Sequence, residues 1–580
     1  MKQTHKFLHT NVFEYIRNIV CKAITEEFGN DLDLNNTVVE LPKDKSHGDF
    51  STNVAMVLSQ KVNLNPRAFA ERLKTKLNGN HYFSSIEIAG PGFINIKVTN
   101  NFWSDFINAV YQKSESFGHT RVGAGKKVLI EFVSANPTGP MHVGHSRGAV
   151  YGDALAKLLK ATGFDVTREY YVNDAGSQMR TLAQSLFIRY QQLFGKKIEI
   201  SDGLYPGEYL IIIANALRTK VGDSLLNKEF EEIYPTLHEF ALTEIMMLIR
   251  ADLKKLGVEH DIFTHELKLH EEGCIKKAID QLQAKGLLYQ GTLEAPKGLV
   301  QEDWEAKEQT IFKSTEFGDD VDRAVQRADG SYTYFAGDFG LALDRLERGF
   351  DDVVMVLGAD HIGFVKRVKA VTKALSDGKA TIDVPIVQMV NLFKNGEPFK
   401  MSKRSGNFIT AEDVVDEVGI DALRFVLLSR KNDTVIDFDF DKVKEQTKEN
   451  PVFYVQYAHA RCASVLRNAL SEFKLAPDLS KIDMLNTATD QDLIRKISLF
   501  PKVVEQAALH HEPHRVIYYT IELATEFHSF WAQGTEEVDL RFIIPNNPNL
   551  TSARLVLVDL VRLTIKLALG ILGINAIDKM

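Results

Sequence analysis

Two short strings in this chain carry groups suited to handling phosphates. The first, His142-Val143-Gly144-His145, follows an apolar stretch, VLIEFVS (128–134), and the turn ANPTGP, and it opens a helical pattern, RGAVYGDALAKLLKATG. A helix N-terminus presents free N–H groups and a positive dipole end, so anions bind there readily. His142 and His145, three apart, share one helical face and can donate to a phosphoryl oxygen whose charge grows during in-line attack. Gly144 between them permits close approach of backbone or an adenine ring. The second string, Lys400-Met401-Ser402-Lys403-Arg404, follows a strand pattern and the turn Lys394-Asn395-Gly396. A cationic loop there can close over a triphosphate, where positioning and charge matter more than covalent chemistry. The pair in this order points to activation of a carboxylate as an adenylate.

Each string also has a plainer explanation. Two surface histidines can flank a helix start, and a solvated basic loop is the commoner fate of a Lys/Arg-rich segment. With 17 His and 37 Gly, HxGH arises by chance in roughly 0.03 of such chains. Chance is therefore a poor account of HxGH placed between a strand and a helix.

The elements around these strings must hold them. VLIEFVS, the helix after HVGH and the strand pattern at 165–172 make an opening βαβ of a doubly wound parallel sheet. Residues of about 180–300 are mostly helical and interrupt the rhythm as an insertion. The rhythm resumes with SYTYFAGD, a helix LALDRLERG, the strand DDVVMVLGAD, a helix FVKRVKAVTKAL and the strand VPIVQMVNLF. From about 410 onward the strand signals stop, and five segments of helical period follow. Before the sheet, helical period at 11–28, a helix near 66–77 and strands near 86–88 and 93–97 describe a small α+β unit. The fold class is thus multidomain α/β: an α+β N-terminal domain (1–117), a Rossmann-like catalytic domain with a helical insertion (118–430) and a C-terminal helical bundle (431–580). A chain of 580 residues exceeds the size of a single core.

Composition excludes rather than identifies. At 44% hydrophobic and 25% charged the chain can bury large cores, so disorder is excluded. A net charge of −8 means that any nucleic acid must meet local basic patches. Cys21, Cys274 and Cys462 form no CxxC pair, so neither a zinc ribbon nor any other metal site is expected, and sparse cysteine suits a reducing compartment. The apolar C-terminal run is long enough to span a bilayer, yet Asp559, Arg562 and Lys566 recur at spacings of three and four, as on a one-sided packed helix. The N-terminus lacks a signal-peptide pattern. The expected location is cytoplasmic, without membrane association.

HxGH with KMSKR in a split doubly wound domain, followed by a helical bundle, resembles the class I aminoacyl-tRNA synthetases. Longer strings narrow this. EFVSANPTGPMHVGHSRGAVYGDALAKLLKATGFDVTREYYVNDAGSQM, FKMSKRSGNFIT, DALRFVLLSR, NPVFYVQYAHAR and, near the N-terminus, HGDFSTNVA all resemble arginyl-tRNA synthetase. The resemblance spans the chain. It implies ATP and L-arginine as substrates, Mg²⁺ accompanying the ATP, tRNA(Arg) as partner and a monomer. His142, His145, Lys400 and Lys403 would be catalytic. His142, Gly144, His145, Gly358, Asp360, Lys400 and Lys403 would bind ATP. Glu131, Ser134, Asn136, Tyr334, Asp338 and His361 would bind arginine, with Glu131 and Asp338 clamping the guanidinium, which carboxylates match best. Ser134 and Asn136 would hold the α-amino group. Glu266 resembles an acidic position near the acceptor end.

Each assignment has a structural alternative. Glu131 in an apolar strand is otherwise a paired buried charge, Tyr334 is core, and Asp338 is a helix N-cap. Two departures from the family pattern stand out: His361 replaces a glutamine that contacts the amino acid, and the C-terminus lacks a usual proline. The helical domain would read the anticodon, with Tyr454, Tyr457, Arg461 and Trp531 as candidates among the aromatic and basic residues His459, Arg515, Tyr518 and Tyr519. The N-terminal domain would contact the tRNA elbow, with Asn53 and Phe50 as candidates. Two other classes remain as alternatives, a small-molecule nucleotidyltransferase that shares HxGH and a catalytically silent tRNA-binding paralogue.

Overall fold

A computed structural model describes residues 10–293, 307–399 and 409–580. They form two compact units. The first contains residues 123–445 and 511–514; the second joins the N-terminal residues up to 122 with 446–510 and 515–580.

The first unit is built on five parallel strands: β1 (Lys127–Glu131), β2 (Asp165–Val172), β3 (Ile262–His265), β4 (Asp352–Met355) and β5 (Thr381–Asp383). Their order is β5-β4-β1-β2-β3. The chain builds outward from β1 to one edge, then returns to β1's other side. The switch point therefore falls between the carboxyl ends of β1 and β4, where open α/β sheets bind ligands. Val128, Leu129, Ile130 and Glu131 are all buried, as expected of a parallel strand covered on both faces. Register pairs Glu131 with Glu169 of β2 on one side and with Met355 of β4 on the other.

Six helices position the groups around this switch point: α1 (Val143–Ala161), α2 (Phe230–Lys255), α3 (Ala336–Glu347), α4 (Val365–Leu375), α5 (Ala411–Val418) and α6 (Ile420–Leu428). α1 lies close to the sheet because Gly152 has no side chain; a Cβ there would stand 2.2 Å from the Phe132 ring.

Two sequence expectations need correction. The stretch 180–300 is mostly helical but not a pure insertion, since β3 within it pairs with β2 and completes the sheet. Four residues bounded by charged loops are too few to show a period. Strands also do not stop at 410: Ile436–Asp439 pairs parallel with Val390–Lys394, and its alternation of buried and exposed residues is a short period-2 signal.

The second unit holds a four-stranded antiparallel sheet, in the order Val39–Glu40, Phe50–Thr52, Phe93–Val98, Phe83–Ala89, with helices Val12–Phe28 and Pro66–Leu77 where the sequence pattern places them. Its C-terminal part is helical: Pro451–Phe473, Ala488–Ser498, Phe500–Leu509, His514–Glu536 and Pro548–Ile571. An ion pair ties the two parts together, as the buried Asp49 carboxylate accepts from Arg495 Nε at 2.7 Å and from the Val98 N–H at 2.9 Å. No helix among the described residues is long and apolar enough to cross a membrane.

Candidate active site

His142 caps α1. Its Nδ1 accepts the Gly144 N–H at 3.1 Å, and the His142 N–H is shared with His145 Nδ1 at 3.4 Å. With both Nδ1 atoms accepting, each ring carries its proton on Nε2, a donor. The rings stack with centroids 3.8 Å apart. A Cβ on Gly144 would lie 2.8 Å from His142 Cε1 and Nδ1, so the glycine makes room for the imidazole itself. Arg147, one turn on, is buried and donates to the backbone carbonyls of Gln388 and Lys431 at 2.9 and 3.0 Å.

Lys400 and Lys403 lie outside the described residues, but both flanks of their segment are fixed. Phe399 N–H donates to Leu392 O at 2.7 Å, Val143 N–H donates to Ile409 O at 3.2 Å, and Ala411 N–H donates to Met141 O at 3.1 Å. Thr410 bridges to His142.

Beyond β1 the backbone turns sharply. Val133 and Ser134 have φ of 69° and 40°, a left-handed conformation that strains a β-branched residue. The strained turn is held from several sides. Ser134 Oγ donates to Glu131 Oε1 at 2.9 Å and accepts the Tyr171 N–H at 3.0 Å. Tyr170 OH donates to Ala135 O at 2.8 Å. Asn136 Oδ1 accepts from Asn173 Nδ2 at 3.2 Å.

Glu131 is not an open carboxylate. Its Oε2 is bound by Arg345 of α3, and the same guanidinium reaches Glu169 Oε2 at 2.6 Å. Arg348 reaches Glu169 Oε1 at 2.6 Å. Burial alone would raise Glu169, but Arg345 and Arg348 override it and hold the carboxyl below its ordinary range. The paired-charge alternative for Glu131 thus describes the Oε2 side of this carboxylate. A glutamate in an apolar strand signalled a buried cation; the sequence did not show which arginine supplied it.

Asp338 differs. It lies in the first turn of α3, not at a strand end, and it does not cap the helix. Its Oδ2 is sealed from solvent and has no hydrogen-bond partner among the described residues. Burial, then the charges of Glu131 and Glu266 against the weaker pull of Arg367 and Arg345, push the carboxyl up to about 7. Glu266 stands close by: a Cβ on Gly337 would lie 3.4 Å from its Oε1. Burial raises Glu266 too. Tyr334 is 74% exposed, so it is not core, and its phenol is raised by burial of the hydroxyl and by Glu266 and Asp338. Sequence reasoning placed Glu266 elsewhere; its type was visible, but its proximity to Asp338 needed the fold.

On the other side of the switch point, Gly358 leads into a 3₁₀ turn, Ala359–Phe364. A Cβ on Gly358 would lie 2.6 Å from Asp360 Oδ1, so Asp360 folds back over the glycine. His361 Nε2 is 3.5 Å from Asp360 Oδ2, and both side chains are exposed.

In the second unit, Arg461 lies between two aromatic faces, 4.4 Å from the Tyr457 ring centroid and 4.7 Å from that of Trp531. It donates to Tyr457 OH at 2.6 Å, and Tyr454 packs on His528 4.7 Å away. His459 and Tyr519 are buried and bonded to backbone carbonyls. Phe50 is core, edge-on to Phe13, so it has no surface to offer RNA. Asn53 is the N-cap residue of the short helix Val54–Leu58, without a side-chain capping bond among the described residues.

Three family models match the chain: the arginyl tRNA synthetase N terminal domain over residues 14–98, the class I (R) tRNA synthetase catalytic domain over 107–207 and 215–465, and the DALR anticodon binding domain over 455–580. An arginine–tRNA ligase of Roseobacter denitrificans is 48% identical over 580 residues, covering 98% of this chain and all of that protein. One from Brucella anthropi is 50% identical over 561 residues, covering 95% and 96%. The solved arginyl-tRNA synthetase of Thermus thermophilus superposes with a TM-score of 0.73 at 19% identity, covering 98% of this chain and all of that one, which shows a shared fold.

Proposed function

We propose a division of labour within the site, proceeding from the fact that this chain belongs to the arginyl-tRNA synthetases and is an arginine–tRNA ligase using ATP. The observation that carries it is the buried, unpartnered Oδ2 of Asp338 beside Glu266. A carboxylate left this way needs a cation, and a guanidinium supplies charge and paired donors together. Asp338 and Glu266 take the substrate guanidinium, with Tyr334 beside them. Glu131 acts mainly by fixing Ser134 and the turn. A hydroxyl has one donor and two lone pairs; the donor of Ser134 is spent on Glu131 and one lone pair on Tyr171 N–H. Its remaining lone pair suits an α-ammonium, as does that of Asn136 Oδ1.

The substrate carboxylate oxygen attacks the α-phosphorus of ATP, the bond to the bridging oxygen breaks, and pyrophosphate leaves. His142 and His145 donate from Nε2 to the phosphoryl oxygens, and Lys400 and Lys403 neutralise the departing charge. Gly358 and Asp360 receive the adenosine, and His361 lies beside them. Mg²⁺ accompanies the triphosphate. Among the described residues no cluster of three or more His, Cys, Asp or Glu could hold a metal, so no protein ligand is assigned to it. The 2′-hydroxyl of the terminal adenosine of tRNA(Arg) then attacks the mixed-anhydride carbonyl, AMP leaves, and the hydroxyl proton is lost. Tyr454, Tyr457, Arg461 and Trp531 offer stacking faces for unpaired bases, and Asn53 is the remaining elbow candidate.

ATP–pyrophosphate exchange with arginine, lysine and citrulline, with and without tRNA(Arg), tests the assignment. Exchange should require arginine, because a neutral or differently shaped side chain leaves Asp338 poorly paired. Equal exchange with citrulline would sink the carboxylate clamp.

A further inference from the structure

The last turn of α2 touches three other elements within five residues. Asp252 Oδ2 accepts the Met141 N–H at 2.8 Å, the residue just before His142. Lys255 pairs with Glu412 and stands 3.8 Å from Asp416, both on α5, which lies just beyond the second motif. Leu256 O accepts from Arg424 Nη1 of α6 at 2.8 Å, and Arg424 also reaches Asp153 of α1 at 2.5 Å. Met141, held by Asp252 through its N–H, accepts the Ala411 N–H through its carbonyl. The peptide units around Met141 therefore stand between α2 and Ala411, the first residue of α5. Asp252 is 6% exposed, and burial first, then Asp413, raises its carboxyl while Met141 N–H and Lys255 oppose them. A raised buried carboxylate spent on one backbone N–H is a costly way to hold a turn. Many side chains hold turns; this one holds the residue that precedes His142 and is bonded to the first residue of α5.

We infer that Asp252 is a positioning residue for ATP: it fixes the approach to His142 and, through Met141, the tie between that approach and the start of α5. It touches no substrate. This rests on the phosphate roles proposed for His142 and His145. A misplacement of about 1 Å suffices to cost a hundredfold in rate, so the effect should appear in ATP handling before it appears in folding.

The test compares Asp252→Ala with Asp252→Asn in ATP–pyrophosphate exchange, varying ATP and arginine separately. The asparagine keeps an acceptor oxygen for Met141 N–H without the charge. Asp252→Ala should lower kcat/KM for ATP on the order of tenfold or more, with KM for arginine within about twofold, and Asp252→Asn should recover most of the loss. A loss equal for ATP and arginine, or one confined to the melting temperature, overturns the inference, as does an asparagine variant no better than alanine. Failure of the underlying roles shows up separately: His142→Ala would then leave ATP use intact in the unmodified background.

Discussion

Replacing Asp338 by asparagine separates binding from stability in a way that few substitutions would. Removing one partner of a buried ion pair costs about 3–5 kcal/mol, so kcat/KM for arginine should fall at least about a hundredfold at pH 8, while KM for ATP stays within a few-fold. The wild-type enzyme carries a second signature. In the proposed clamp arginine binds the ionised carboxylate, and burial together with Glu131 and Glu266 pushes that carboxyl up to about 7. The ionised fraction is then roughly nine-tenths at pH 8 and one-tenth at pH 6, so arginine use falls about tenfold between them. The stability sign runs the other way. A carboxyl raised on folding contributes its stability at low pH and loses it as pH rises through the folded value near 7. At about 1.4 kcal/mol per unit, the free enzyme at pH 8 bears a penalty on the order of 4 kcal/mol from Asp338. Asparagine removes it, so the variant should melt higher than wild type at pH 8, by less at pH 5. Initial-rate kinetics at pH 6, 7 and 8 and scanning calorimetry at pH 5 and 8 measure both. A flat pH profile for arginine beside a variant that melts lower at pH 8 would refute the reasoning.

Other substitutions probe other parts. Arg345→Met strands Glu131 Oε2 and leaves Glu169 with Arg348 as its cation, and should destabilise by about 3–5 kcal/mol, a drop of roughly 5–10 °C in melting temperature. Because Arg345 and Arg348 hold Glu169 below its ordinary range, that stability is present above the unfolded value and lost as pH falls through the depressed one, so the deficit should narrow in acid. Gly144→Ala improves helix propensity by up to about 1 kcal/mol but drives a methyl into the His142 ring; melting should hold while kcat/KM for ATP falls about tenfold. Arg461→Ala breaks the stack between Tyr457 and Trp531 and should raise KM for tRNA(Arg) roughly tenfold, within the worth of one stacked base, leaving KM for ATP and arginine unchanged in aminoacylation assays.

The strand, turn and helix start that place His142 and His145 were legible in the sequence because they are local. A strand, a turn, His142 as cap and His145 three residues on are all set by neighbours in the chain, so type and spacing suffice. The helices at Val12–Phe28 and Pro66–Leu77 were legible for the same reason, since a helical face repeats within a few residues. β3 was not, because four half-buried residues show no period and only pairing with β2 defines them. Nor was the grouping of the N-terminal sheet with the C-terminal helices in one compact unit. It rests on contacts such as Asp49–Arg495, over four hundred positions apart.

Charge balance is the least local property of all, and it decides what the pocket can select. Counted by type, Glu131 and Asp338 look alike, two acids near one ligand. The register puts Glu169 beside Glu131, and α3 then supplies Arg345 to both. The same helix, seven residues earlier and so on the same face, presents Asp338 with no cation among the described residues in hydrogen-bond reach of its Oδ2. On the proposed assignment, one helix neutralises the acid that shapes the turn and leaves the other acid for the substrate. Had Arg345 reached Asp338 instead, the pocket would already hold its own guanidinium and have no demand for another.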